Sequence, residues 1–125
     1  MRVLLDTHIV LWVMQDAAQL GPQARRLIDD ADEVYVSSVS LWEASIKADL
    51  GKLKVDMDLL ERRLGEMAML PLPMTWAHAA ALRKLPRLHG DPFDRMLVAQ
   101  AVSEPMRLLT HDAALAGYTP LVTLI

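Results

Sequence analysis

Four acidic residues of this chain stand where strands and helices are expected to meet. Asp6 comes directly after an apolar run of strand type, and Glu43 and Asp112 follow two further runs of this kind. Asp94 lies in the segment HGDPFDR. Because the carboxyl ends of parallel strands share one edge of a sheet, these carboxylates are expected to approach one another. Crowded carboxylates resist ionisation unless a cation joins them, and oxygen ligands suit Mg²⁺ or Mn²⁺ better than zinc.

Each acid also has a local structural interpretation. Asp91 precedes Pro92 and stands three residues before Asp94, which is a conventional helix start with Asp91 as the N-cap. The segment from Ser40 to Glu43 has the pattern of a capping box, and the other two acids are also placed to cap the helices that follow them. Taken one at a time, the acids therefore leave capping and metal binding open.

The composition is that of a compact globular protein. The chain has 125 residues, 53% of them hydrophobic and 23% charged, which predicts a single domain over residues 1–125 with one proper core. It has no cysteine, so disulfides, thiolate zinc sites and a cysteine nucleophile are excluded. The net charge of −3 is not that of a generally basic nucleic-acid binder. Neither a signal peptide nor a membrane-spanning run of about 20 residues is recognisable, so a cytoplasmic location is expected.

Strand and helix patterns alternate along the chain. Strands are predicted at about 2–5, 34–37, 69–73, 106–110 and 120–124, and helices at about 7–15, 22–31, 38–50, 56–67, 76–85 and 92–102. Thr7 is the predicted N-cap of the first helix, and the prolines at 71 and 73 make the third strand a short or edge strand. This alternation predicts a parallel sheet covered by helices on both faces.

The segments that carry the acids resemble those of a known family. LLDTHIVLW, SVSLWEASIK, HGDPFDRMLVAQA and LLTHDAAL, in this order, are similar to PIN-domain proteins of the VapC toxin type. The resemblance covers nearly the whole chain. It places the family's acids on Asp6, Glu43, Asp94 and Asp112. Asp94 is chosen over Asp91 because an apolar, alanine-containing helix follows it, and Asp91 is kept as a candidate auxiliary ligand.

The resemblance implies a fold and an activity. The fold is a three-layer α/β/α PIN-like fold with a central, mostly parallel five-stranded sheet. The activity is that of an Mg²⁺- or Mn²⁺-dependent endoribonuclease, which leaves 5′-phosphate and 3′-hydroxyl ends. Family members of this type are toxins, usually homodimers, that a cognate antitoxin neutralises. One or two ions held by the four acids would activate water and clamp the scissile phosphate.

Other polar residues are assigned supporting roles. Basic residues flank the third acid: Arg83, Lys84, Arg87, His89 and Arg95. Arg95, together with Lys47, which lies one helical turn beyond Glu43, is predicted to position RNA phosphate. Thr7 and Thr110, which adjoin acids, are predicted to orient ligands or a water molecule. The histidines are expected in supporting or packing roles, and the methionines of residues 67–74 with Trp76 suggest a protein-contact surface.

Two alternatives from other classes are kept. A catalytically silent PIN-like module would use its acids only as helix caps and would bind protein or RNA. A phosphoacceptor domain of the receiver type would share the sheet type and the acidic pocket. The chain lacks the lysine expected after a late strand of such a domain, since His111 stands in that neighbourhood.

Overall fold

A five-stranded sheet organises the molecule. The computed structural model describes residues 1–125 and has the strands β1 (Arg2–Leu5), β2 (Glu33–Ser37), β3 (Leu70–Leu72), β4 (Arg107–Thr110) and β5 (Val122–Leu124). All neighbouring pairs are parallel, in the order β3-β2-β1-β4-β5. The predicted α/β class is confirmed. The order differs from the 2-1-3-4-5 order of receiver domains, which argues against that alternative.

Helices connect the strands and cover the sheet. They are α1 (Thr7–Met14), α2 (Pro22–Asp30), α3 (Ser38–Asp49), α4 (Met57–Glu66), α5 (Trp76–Leu82), α6 (Pro92–Ser103) and a short 3₁₀ helix (Ala113–Gly117). Every predicted helix and strand is present, and most ends agree within two residues; α5 is three residues shorter than expected. No helix has the length and apolar character that crossing a membrane requires.

Both faces of the sheet are buried. Along β1 the side chains alternate, so Val3 and Leu5 belong to one core and Leu4 belongs to the other. The first core is completed by residues such as Ile9 of α1 and Leu64 of α4, and the second is dominated by α6. These two cores make the three-layer α/β/α arrangement that was predicted.

The strand order reverses in the middle of the sheet. From β1 the chain moves outward through β2 to β3, and it then returns to place β4 on the other side of β1. The backbone N–H of Asp6 donates to the carbonyl of Leu109 at 2.9 Å, which ties the carboxyl ends of β1 and β4 together. In open α/β sheets such a reversal leaves a crevice where ligands bind.

Two predicted helix caps are wrong. Thr7 is the first residue of α1, and Asp6 takes the N-cap position without a side-chain capping bond. The Ser40-to-Glu43 capping box is not formed, because Ser37 caps α3 by accepting from the N–H of Val39 at 3.0 Å. Both residues of that proposed box are instead buried inside the helix.

Candidate metal centre

Asp6 is a buried acid at the sheet edge. It is 3% exposed, because β1 delivers it directly into the crevice beside β4. Its Oδ2 accepts from the hydroxyl of Thr110 at 2.5 Å, and that hydroxyl accepts from the N–H of Asp112 at 3.1 Å. Its Oδ1 has no hydrogen-bond partner. Burial raises the pKa of Asp6 above 3.8, although the Thr110 bond and the charge of His8 oppose this.

The start of α6 places Asp94. Asp91 is the N-cap, as predicted, and its Oδ1 accepts from the N–H groups of Phe93 at 2.8 Å and Asp94 at 3.1 Å. This bonding accounts for one carboxylate oxygen of Asp91 and points the Asp94 side chain toward the crevice. Burial, with the charges of Asp6 and the other nearby acids, raises the pKa of Asp94 from 3.8 to about 7. The ionised carboxylate therefore lacks sufficient positive charge in its surroundings.

His89 faces two of the acids. Its Nε2 lies 3.1 Å from Oδ2 of Asp94 and 3.2 Å from Oδ2 of Asp112. Its Nδ1 accepts from the N–H of Gly90 at 3.0 Å, so the proton of the ring is on Nε2 and is directed at the carboxylates. The three side chains are close enough to surround an ion. In this orientation His89 is a donor to the acids.

Asp112 combines two roles at the end of β4. Its Oδ1 accepts from the N–H of Ala114 at 2.9 Å and caps the 3₁₀ helix, as one interpretation of the sequence expected. Its Oδ2 faces His89. Capping therefore uses one oxygen and leaves the other directed at the crevice, so the two interpretations of this acid are compatible.

Glu43 lies on α3, and its charge acts on Asp6 and Asp94. It is 2% exposed, and its Oε2 accepts from Nζ of Lys47 at 2.7 Å, while its Oε1 has no partner. Thr7 lies nearby, but its hydroxyl donates to Oγ of Ser40 at 2.9 Å and so joins α1 to α3. Thr110 therefore touches a predicted ligand through its hydroxyl, whereas the hydrogen bond of the Thr7 hydroxyl goes to a serine.

The crevice between these residues opens to solvent as a cleft of about 310 Å³. Its lining is mostly polar or charged: Asp6, His8, Trp12, Asp94, His111 and Asp112. His111 contacts Trp12 edge-on, with ring centroids 5.2 Å apart. A hard divalent cation fits this donor set. The unpartnered Oδ1 of Asp6 would become one of its ligands, and the cation would compensate the negative charge of the crowded carboxylates.

The chain is similar to known proteins over nearly its whole length. The profile of the PIN domain matches residues 3–119. The chain belongs to the PIN domain family. This PIN-domain protein is 30% identical over 119 residues to Ribonuclease VapC22 of Mycobacterium tuberculosis. The aligned region covers 93% of this chain and 91% of that relative.

Solved structures share the PIN fold over nearly the full chain. The VapBC2 crystal structure from Rickettsia felis, bound to a DNA fragment from its promoter, has a TM-score of 0.71 at 16% identity, covering 100% of this chain and 98% of that one. DNA-bound VapBC from Salmonella typhimurium has a TM-score of 0.69 at 15% identity, covering 100% and 97%. These structures support the three-layer fold assigned to this PIN domain.

The residues with assigned supporting roles in this PIN domain lie in three different settings. Arg95 lies on a depression of about 250 Å³ that it shares with Arg87 and His89. Lys47 pairs with Glu43, a contact that its spacing allows, and its predicted role toward RNA phosphate stays a prediction. His78 has the expected packing role: it is 1% exposed and its Nε2 lies 2.5 Å from Oε2 of Glu104.

His89 is the site residue whose contacts the sequence did not identify. Its position in the sequence groups it with the basic residues that flank Asp94. Its orientation depends on the backbone N–H of Gly90, which donates to the ring Nδ1. The backbone N–H of His89 also donates to the hydroxyl of Tyr118 at 2.9 Å. The sequence signal was its position two residues before the N-cap Asp91, which places it at the same sheet edge as the acids.

Proposed function

We propose that this PIN-domain protein is a metal-dependent endoribonuclease and the toxin of a toxin–antitoxin pair. It hydrolyses RNA phosphodiester bonds and leaves 5′-phosphate and 3′-hydroxyl ends. The observation that carries the proposal is the convergence of Asp6, Asp94 and Asp112 on one cleft at the reversal of the strand order. The similarity to a named ribonuclease over 93% of the chain supports the same activity.

The metal ligands are proposed from the acids at the cleft. Asp6, Asp94 and Asp112 would hold the ion, and Glu43 is the fourth carboxylate of the set, buried beside them. A bound Mg²⁺ or Mn²⁺ supplies Lewis-acid activation of water and positive charge for the scissile phosphate. Thr110 fixes Asp6 in one orientation, and such bonds to ligands commonly tune metal affinity.

RNA is proposed to approach across the basic depression beside the cleft. Arg87 and Arg95 line it, and it shares His89 with the acidic site. Nε of Arg95 is buried without a partner, and its Nη2 reaches the carbonyl of Leu85 only at 3.5 Å. A phosphate oxygen would pair with the Nη groups of this guanidinium, since its Nε is closed to solvent. The depression supplies local positive charge to a protein whose net charge is −3.

An antitoxin and a second copy of the chain are the proposed protein partners. Trp76 is 95% exposed and Met74 and Met67 are each 48% exposed, so the segment around β3 and α5 presents apolar surface. Met69, which was expected in the same surface, is 8% exposed and packs in the core. Large exposed apolar side chains that lie close together in the sequence favour a protein-contact surface here.

The proposal is tested by RNA cleavage with purified protein. Labelled mixed RNA is incubated with Mg²⁺ or Mn²⁺, with and without EDTA, beside the Asp6→Asn variant. We expect chelator-sensitive cleavage that the variant lacks, with 5′-phosphate products. Equal activity in wild type and variant would point to a contaminant or another site. Absence of cleavage together with absence of metal-induced stabilisation would favour a silent binding module.

A further inference from the structure

Lys47 forms an unusual ion pair. The Glu43 side chain that it contacts is 3% exposed, whereas the carboxylates paired with Arg25 and Arg62 are 84% and 65% exposed. An exposed pair of this spacing on a helix contributes little, but a buried carboxylate requires a cation or a proton. At 2.7 Å from Oε2, the Lys47 ammonium is that cation.

The backbone around Lys47 fixes its place. Gly51, with φ of 72°, ends α3 in the left-handed conformation. The N–H of Lys52 donates to the carbonyl of Lys47 at 2.9 Å and that of Gly51 donates to Ala48 at 3.1 Å, which is a Schellman motif. Lys47 therefore stands in a defined last turn, one turn from Glu43. The defined backbone keeps the Lys47 side chain within reach of the Glu43 carboxylate, which its ammonium contacts.

Of the four acids, Glu43 is the one that forms an ion pair with Lys47. Asp6, Asp94 and Asp112 line the acidic cleft, whereas Glu43 does not. Lys47 lines a different depression, of about 270 Å³, together with Lys52. The charges of Asp91 and Asp94 also act favourably on the ammonium. Glu43 thus has its own positive charge, which Lys47 supplies from a depression that adjoins the cleft, since His8 lines both.

We propose that the Lys47 ammonium stays paired with Glu43 and takes the place of a second metal ion beside this carboxylate. The protein would then bind one divalent ion and not two. The inference rests on the proposed function, because it assumes that the other acids bind such an ion. A second divalent ion at Glu43 would have to displace the ammonium or stand against its charge. Lys47 is in this sense a positioning residue that determines metal stoichiometry.

Calorimetric titration with Mn²⁺ at pH 8 tests the inference, using wild type, Lys47→Gln and Lys47→Arg. We expect one ion in the wild type, two in Lys47→Gln, and one in Lys47→Arg, which retains a positive charge. Electron paramagnetic resonance is the second readout, since two neighbouring Mn²⁺ ions give a spin-coupled spectrum that a single ion does not. Circular dichroism and thermal unfolding establish that each variant is folded.

Several results would overturn the inference. Two ions in the wild type would show that Lys47 does not occupy the second position. One ion in a folded Lys47→Gln protein, at any affinity, would show that the ammonium does not exclude another. If Lys47→Gln does not fold, two ions bound by wild type or by Lys47→Arg would overturn the inference, and one ion in both would support it.

The stoichiometry is measured without RNA, so it is independent of nuclease activity. A wild-type protein that binds one ion and cleaves no RNA would contradict the proposed function and leave this inference standing. No Mn²⁺ binding by the wild type would overturn both.

Discussion

Replacing Asp94 with asparagine removes the carboxylate on which burial and neighbouring negative charges act together. Its pKa is raised from 3.8 to about 7. The folded state therefore holds a proton at Asp94 more tightly than the unfolded chain does. The associated stability is fully present below pH 3.8 and is lost as the pH rises through about 7. Above pH 7 Asp94 is ionised in the folded, metal-free wild type, and the free energy of unfolding is then lowered by the full amount.

The size of this effect follows from the pKa difference. At about 1.4 kcal/mol per pKa unit, the interval between 3.8 and about 7 corresponds to about 4 kcal/mol. Because 17% of the side chain remains exposed and water in the cleft screens its charge, about half of this is expected, or about 2 kcal/mol. For a chain of 125 residues, Asp94→Asn should raise the melting temperature by about 8 °C.

The assay is thermal unfolding at pH 8 in EDTA, repeated at pH 5, where the gain should shrink. Asp29→Asn is the matched control, because Asp29 is exposed on α2 and its removal should leave the melting temperature unchanged. With Mn²⁺ added, Asp94→Asn should lose both metal-induced stabilisation and RNA cleavage. A melting temperature at pH 8 that is unchanged or lowered in Asp94→Asn would refute the assignment of an uncompensated charge to this residue.

Three further predictions concern the divalent ion, the hydrogen bond from Thr110 to Asp6, and RNA binding. Mn²⁺ at one hundred times its dissociation constant should stabilise the wild type by about 2.7 kcal/mol, as measured by thermal unfolding, and Asp6→Asn should lose most of this gain; an equal gain in the variant would remove Asp6 from the ligand set. Thr110→Val should lower Mn²⁺ affinity and RNA cleavage by about 10- to 100-fold, because Asp6 loses its hydroxyl donor. Thr110→Ser, which keeps that donor, should retain most of both, and equal losses in the two variants would contradict the role of the hydroxyl. Arg95→Gln should weaken RNA binding and reduce the slope of log affinity against log salt concentration by about 1; an unchanged slope would argue against a phosphate contact.

Local patterns in the sequence predicted the elements of this fold well. The alternation of apolar runs and helical patterns located every strand and helix. The prolines at 71 and 73 indicated an edge strand, and the strand order confirms that β3 is one. The cap of α6 was also predicted correctly, since Asp91, Pro92 and Asp94 form a self-contained signal. These features depend on neighbours within a few residues.

Contacts between distant segments determine the structural features that local sequence patterns did not predict. Ser40 fits a capping pattern, but burial against the Thr7 hydroxyl, 33 residues earlier, places it within α3. The spacing of Glu43 and Lys47 allows an ion pair, yet only the position of α3 against the sheet determines that the carboxylate is buried. The orientation of His89 likewise depends on Tyr118, which lies 29 residues further along the chain.

The hydrogen bond from Thr110 to Asp6 joins residues 104 positions apart. During synthesis, the first acid of the site thus leaves the ribosome long before the strand that orients it. At about 5–20 residues per second, the interval is roughly 5–20 seconds. Over that period the nascent chain carries Asp6 but not β4, Thr110 or Asp112. The predicted site is therefore incomplete until nearly the whole chain has been synthesised, since Asp112 stands 13 residues before Ile125 in the sequence.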